Sequence, residues 1–268
     1  MALTLPDANC LMPRAFTRAV SPRIAKCELT HLERVPIDPA KAAAQHAAYE
    51  QALAGAGFAI VRLPALADHP DAVFVEDNAL LLGDHAVITR PGAASRRGET
   101  QSTADGLAPH FALHRIESGF IDGGDVLRIG QRIYVGLSTR TDQAGIDALA
   151  AIAEPLGFEV RRAELRDCLH LKTGATLAGP GVLLCNPQAV DPAQFADVEP
   201  LAVDPAEPAA ANIVRAGDRL ILPAGNPNTA AKLRARGFKV IEVDVSELQK
   251  AEAGVTCMSL IDERRPRR

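Results

Sequence analysis

A chain of 268 residues, 47% hydrophobic and 23% charged, is long enough to bury a full core and too apolar to stay disordered. Its formal net charge of −4 offers no general attraction to phosphate backbones or anionic lipids, so nucleic acid is not an expected partner. No stretch reaches the roughly 18 apolar residues that span a bilayer, and Met1 to Arg23 carries no basic segment running into a long apolar one, which points to the cytoplasm and away from a membrane.

Five cysteines, Cys10, Cys27, Cys168, Cys185 and Cys257, are odd in number and without a Cys-x-x-Cys pair, which argues against a disulfide framework or a structural zinc site. One domain covering 1–268 is expected. It lies between a short N-terminal extension to about residue 15 and a basic tail at 262–268, in which Arg264, Arg265, Arg267 and Arg268 read as a solvated end.

Taken in chain order, the elements repeat. Ala40 to Leu53 is alanine-rich and reads as a helix, followed by Gly57, Phe58 and a strand from Ala59 to Leu63. Ala79 to Arg90 and Ile133 to Leu137 read as further strands. The first succession then returns as Gln143 to Leu156, Gly157, Phe158 and Glu159 to Arg162, and again as Asn228 to Arg236, Gly237, Phe238 and Lys239 to Val243. Glycine stands each time where a helix ends in the left-handed region. The class is therefore α/β. Behind each Gly-Phe strand lies a segment with reactive side chains: Asp71 to Asp77, Cys168 to Lys172, and Glu252 to Cys257. Units packed around a common axis would bring these segments together at one end.

Each candidate has an ordinary reading beside a chemical one. Asp71, Glu76 and Asp77 could be solvated acids in a surface turn, or carboxylates matched to the planar donors of a guanidinium. Asp122-Gly123-Gly124-Asp125 is a good turn, yet Asp122 could orient an imidazole. His170, between Leu169 and Leu171, would lie opposite both leucines in a strand, where a histidine is more often structural, but its titration range suits proton transfer. Cys257 is either a buried inert thiol or a nucleophile whose thiolate a nearby cation favours. Arg90 and Arg140 each follow an apolar strand and could hold a carboxylate, though either could equally be a surface charge. No phosphate loop, zinc-ligand spacing or Gly-x-Ser-x-Gly elbow is present.

Phe74-Val75-Glu76-Asp77, Ile88-Thr89-Arg90-Pro91-Gly92 with Ser95-Arg96-Arg97, Asp122-Gly123-Gly124-Asp125-Val126, Leu169-His170-Leu171-Lys172 and Thr256-Cys257-Met258-Ser259 together resemble the dimethylarginine dimethylaminohydrolases, in order and in spacing, from about Arg18 to Ile261. The resemblance implies a single catalytic domain with the pentein fold, a five-bladed α/β propeller of ββαβ repeats around a pseudo-fivefold axis. It implies a C–N hydrolase acting on linear amidines, which releases citrulline and dimethylamine from dimethylarginine, or methylamine from monomethylarginine. Cys257 would be the nucleophile of a covalent thiouronium intermediate, His170 the general acid and base, and Asp122 the acid supporting it. Asp71, Phe74, Glu76 and Asp77 would line the substrate's cationic groups, and Arg90 and Arg140 would hold its α-carboxylate.

Ala251 beside Glu252 would make backbone contact, with Leu29 in a lid loop in the same role; Lys26 to Leu32 departs from the family's lid, and Glu252 stands where aspartate is usual. No cofactor is implied, although Cys257 and His170 could together take up an inhibitory zinc ion. The implied partner is a methylated arginine. A homodimer through the face Ala42 to Ala54 is a further expectation. The alternatives are an arginine deiminase or other guanidine hydrolase of the same architecture, and a methylarginine-binding protein without chemistry.

Overall fold

The structure, a computed structural model, describes residues 12–166 and 168–264; Cys10, the first eleven residues of the expected extension, and Arg265, Arg267 and Arg268 lie outside them. The first unit holds β1 (Arg14–Thr17), α1 (Pro39–Gly55) and β2 (Ala59–Arg62). The second holds β3 (Ala79–Leu82), β4 (His85–Ile88), α2 (Thr100–Leu107) and β5 (Ala112–Arg115). The third is β6 (Val126–Ile129), β7 (Arg132–Leu137), α3 (Gln143–Ala153) and β8 (Glu159–Glu164). A helical turn, α4 (Leu171–Gly174), leads into the fourth: β9 (Ala175–Gly179), β10 (Val182–Cys185) and β11 (Glu199–Ala202). The fifth is β12 (Val214–Ala216), β13 (Arg219–Pro223), α5 (Pro227–Ala235) and β14 (Lys239–Val243), after which α6 (Ser246–Gln249) and β15 (Leu260–Asp262) end the order.

These strands form five three-stranded sheets, and every sheet has the same plan. The middle strand pairs antiparallel with an inner strand and parallel with an outer one, as in β4 between β3 and β5 and in β7 between β6 and β8. A parallel pair requires a crossover, which the helix supplies. The inner strands β3, β6, β9, β12 and β15 together line a cavity of about 250 Å³, so the five blades surround one axis. The expected five-bladed α/β propeller is this arrangement. The first blade is completed by the other end of the chain, because β15 pairs with β1 through Arg14 and Asp262, Ala15 and Ile261, and Phe16 and Leu260. Arg14 and Ala15 therefore belong to a strand and not to an N-terminal extension, and Asp262 belongs to a strand and not to a tail. Arg264 is not a free end either: its side chain is a quarter exposed, and its guanidinium lies 4.0 Å over the Phe111 ring and pairs with Asp262 and Asp84.

The Gly-Phe joints explain where the helices stop. Gly57, Gly157 and Gly237 have φ of 96°, 89° and 85°; in each, the following Phe N–H returns to the carbonyl five residues back, closing the helix end. Each glycine stands two residues before an outer strand. The same place is taken by His110 in the second unit and by Asp197, with φ 63°, in the fourth. The fourth crossover is only a short 3-10 turn at Pro192–Gln194, too brief to show a helical period, so neither unit carries the joint in its sequence. At the other end of α1, the Asp38 carboxylate accepts from the N–H groups of Ala40 and Lys41, with Pro39 at the first helical position. Ala42, Tyr49 and Leu53 of α1 are buried with Phe58 of their own blade and Val214, Ala216 and Ile221 of the fifth, which locks neighbouring blades together. Ala79 to Arg90, expected as one strand, turns back at Gly83 (φ 60°) into β3 and β4.

Candidate active site

The segments that leave the outer strands meet at one end of the axis, as the repeat predicts. After β2 comes Leu63 to Asn78, ending in a buried 3-10 turn, Val75–Asn78. The solvated-turn reading of its acids fails: Asp71, Glu76 and Asp77 are 5%, 6% and 3% exposed. Each has a partner inside the protein. Arg96 donates to Asp77 at 2.5 Å and to Glu99 at 2.9 Å, and also holds the carbonyls of Asp71 and Phe74. Lys172 Nζ and Thr256 Oγ1 each donate to Glu76 at 2.6 Å. Asp71 accepts the Glu28 N–H; burial pushes its carboxyl up to about 6, against the pull of Arg96 and of that N–H.

His170 is not in a strand. Its backbone is extended, but it stands at the N-cap of α4, and the Leu171 N–H is fixed by Asp125 at 3.0 Å. The alternation seen in sequence therefore ends at the residue that matters. The imidazole Nε2 lies 3.1 Å from Oδ2 of Asp122, which is fully buried and also accepts the Gly92 N–H. Burial opposes charge on His170, but the carboxylates of Asp77 and Asp125 and the bond to Asp122 outweigh it and raise its pKa to about 9. The ring is thus cationic at neutral pH. Burial would raise Asp77 as well, yet the positive charges of His170 and Arg96 hold it below the usual carboxylate range.

Cys257 lies in a 3-10 turn, Thr256–Met258, half-buried, with the Gly254 N–H 3.4 Å from its Sγ. Desolvation and the carboxylates of Glu76 and Asp77 push its thiol up to about 12. Thiol and imidazolium are therefore the resting forms. Cys257, His170, Asp77, Asp71, Phe74, Arg140 and Ala251 line one pocket of about 20 Å³, whose wall also includes Glu28, Arg96, Leu169, Glu252 and Ala253.

Two expected side chains are placed elsewhere. Glu76 and Thr256 line the axial cavity while their neighbours Asp77 and Cys257 line the pocket, because successive residues in these turns point to opposite sides. Arg90 lies 4.7 Å over the Phe120 ring and donates to the Gly119 carbonyl; Arg96 takes the place on the wall. The Leu29 side chain packs on a core cluster, apart from its expected backbone contact, and its neighbour Glu28 reaches the pocket. Among the described residues, the side chains whose ligand atoms converge as a metal group are Asp77, Asp122 and His170, without Cys257. All three are engaged with one another or with Arg96.

The remaining blade contributes Asn212, for which the sequence offered no signal. Its amide holds the Lys172 carbonyl and both the N–H and hydroxyl of Thr256, tying the histidine segment to the cysteine turn. Arg96 was legible only as part of Ser95-Arg96-Arg97.

A family model described as arginine deiminase matches residues 64–200. The chain is 38% identical over 250 residues to the N(G),N(G)-dimethylarginine dimethylaminohydrolase of Streptomyces coelicolor, covering 92% of this chain and 96% of that one. It is 40% identical over 226 residues to the enzyme of the same name from Pseudomonas aeruginosa, covering 83% and 89%. A solved structure of the Pseudomonas aeruginosa protein, a mutant complexed with citrulline, superposes with a TM-score of 0.89 at 36% identity, covering 94% of this chain and 99% of that one. The N-terminal domain of ArgZ, a cyanobacterial arginine dihydrolase, shares the fold at 22% identity with a TM-score of 0.80, over 93% of this chain and 97% of that one.

Proposed function

The chain belongs to the dimethylarginine dimethylaminohydrolase family, and we propose that it hydrolyses dimethylarginine, and monomethylarginine with it, to citrulline and the methylated amine, using Cys257 as nucleophile and His170 as acid and base. The observation that carries the assignment of roles is the convergence of Cys257 with a cationic His170, itself held by buried Asp122, on one pocket.

The resting protonation states set the order of events. A guanidinium entering the pocket opposes the field of Glu76 and Asp77, the same field that holds the thiol protonated, so substrate binding favours the thiolate, the thiol proton passing to solvent. The thiolate attacks the guanidinium carbon and the C–S bond forms. His170, already protonated, gives its proton to the nitrogen of the departing amine as the C–N bond breaks, leaving a thiouronium on Cys257. The now neutral imidazole takes a proton from water, the hydroxide adds to the same carbon, and the C–S bond breaks to release citrulline, the proton of the added hydroxyl returning to the Cys257 thiolate. Two side chains and a water molecule supply the nucleophiles and the protons, so the chemistry asks for no cofactor.

Asp71 and Arg140 are the wall groups suited to an α-ammonium and an α-carboxylate. The thiols of Cys27, Cys185 and Cys257 are free, in keeping with the expected cytoplasmic location, and no helix among the described residues is long and apolar enough to cross a membrane.

The test follows citrulline and dimethylamine from asymmetric dimethylarginine with wild type and Cys257→Ser, in chelator and reductant. Equal amounts of both products from the wild type alone are expected. Ammonia from unmodified arginine as the dominant activity would assign the site to a deiminase, and tight binding without product would make it a receptor.

A further inference from the structure

The segment 28–35 borders the pocket through Glu28 and through Glu252, the wall residue that bonds it, and it is held there by side chains and not by a core of its own. Residues 30–36 are all exposed, Leu32 and Val35 by 51% and 46%. Burial of apolar surface therefore contributes little to keeping this stretch in place. Its ties are polar. The Glu28 N–H bonds to Asp71, the Thr30 hydroxyl accepts from Arg140 at 2.9 Å, and Ser95 donates to the Glu28 carboxylate at 2.6 Å. The most concentrated tie is Glu252, whose carboxylate accepts three consecutive N–H groups: Thr30 at 2.8 Å, and His31 and Leu32 at 2.5 Å each.

Glu252 sits in the left-handed region, with φ 58°. Glycine or asparagine would meet the demands of that turn with less strain. A long acidic side chain is needed there only if its carboxylate has work to do, and the three N–H groups define that work. The pocket beneath, about 20 Å³, has room for one or two water molecules at the ~10–15 Å³ each requires. An arginine derivative needs more room than this, so its admission requires part of the wall to move, and Glu28 and the segment bonded to Glu252 are the exposed part of that wall. Moreover, the segment's own Glu28 N–H and Thr30 hydroxyl occupy Asp71 and Arg140, the two wall groups suited to the substrate's charged end, so opening and recognition are exchanges at the same side chains.

We propose that Glu252 is a positioning residue for the reaction: its carboxylate latches residues 30–32 over the pocket and sets the balance between the closed site and the one that admits substrate. The inference rests on the hydrolase reading for its kinetic consequence, but not for its structural one.

The test compares wild type, Glu252→Gln and Glu252→Gly. Gln keeps one acceptor and turns an NH2 toward the N–H groups, whereas Gly relieves the left-handed backbone and removes the latch. In substrate-free protein, amide exchange of Thr30, His31 and Leu32 is expected to speed up about tenfold or more in both variants while that of β7 and β13 stays as in wild type. With dimethylarginine, the loss in kcat/KM is expected to fall mainly on KM. Exchange at residues 30–32 in Glu252→Gly within about threefold of wild type, or a loss carried by kcat at constant KM, overturns the proposal. A wild type that turns over no methylarginine would sink the hydrolase reading instead and leave the exchange comparison standing.

Discussion

Two titrating side chains bracket the pH range in which the pocket can work. Asp71, raised by burial to about 6, must be ionised to hold an ammonium group, so binding weakens as pH falls through that value. His170, raised to about 9 by Asp77, Asp125 and Asp122 in spite of its burial, must be protonated to release the amine, so turnover fails as pH rises through that value. The profile of kcat/KM should fall on the acid side as Asp71 is protonated, and that of kcat, read in the complex where the thiol is already ionised, should fall on the alkaline side as His170 loses its proton, measured from about pH 5 to 10. Asp71→Asn should lower the plateau and remove the acid limb, and an acid limb that survives in this variant would show that another group governs binding. Stability shares the sign of the histidine shift. A folded pKa above the unfolded 6.5 gives stabilisation that is complete below 6.5 and lost as pH rises through about 9.

At the scale of elements, the Asp-Gly-Gly-Asp turn before β6 shows how an unremarkable motif becomes necessary. A Cβ on Gly123 would lie 1.9 Å from the Glu76 carbonyl oxygen, and one on Gly124 would lie 2.7 Å from Nδ1 of His170 and 2.9 Å from Oδ1 of Asp77. Neither glycine has positive φ, so it is space and not backbone freedom that excludes a side chain. The acids around them are anchored in turn: Asp125 accepts from Ser138 and Thr141 as well as the Leu171 N–H, and Asp77 accepts the Gly124 N–H. Gly124→Ala should therefore displace the imidazole while leaving the blades folded. A fall in kcat of about 100-fold is expected, since misplacement of a catalytic group by about 1 Å costs that much. Wild-type kcat with a correctly folded variant would mean that the ring position is set elsewhere. In sequence this segment reads only as a turn, because the groups that crowd it arrive from two other blades.

For the whole molecule, the fold depends on closing a ring whose first blade is built from both ends of the chain. Asp262, 4% exposed, accepts from Arg14 of the partner strand and from Arg264 beyond it, and Arg264 covers Phe111 of the second blade. Removing that carboxylate strands two arginines at a seam. Asp262→Ala should cost about 1–3 kcal/mol, a fall in Tm of roughly 2–10 °C for a chain of this size. Arg215→Ala, which breaks an ion pair with Glu263 in which both side chains are about a third exposed, should shift it far less. Equal midpoints for the two variants would show that strand pairing alone holds the seam.

Sequence by itself determined the α/β class and three of the five units, because helix ends at Gly-Phe and strand alternation are local signals, while the resemblance carried by motif order and spacing pointed to Cys257, His170, Asp71, Phe74, Asp77, Arg140, Ala251 and Glu252, which line the pocket. Tertiary structure alone decided that Asp197 and His110 stand at the two unmarked joints, that Glu76 faces the axial cavity and Arg90 an aromatic ring, and that Arg96, Asp125 and Asn212 hold the site together. Those choices depend on which blades become neighbours, and a buried charge or a crowded glycine has no signature until the partner that buries or crowds it is in place.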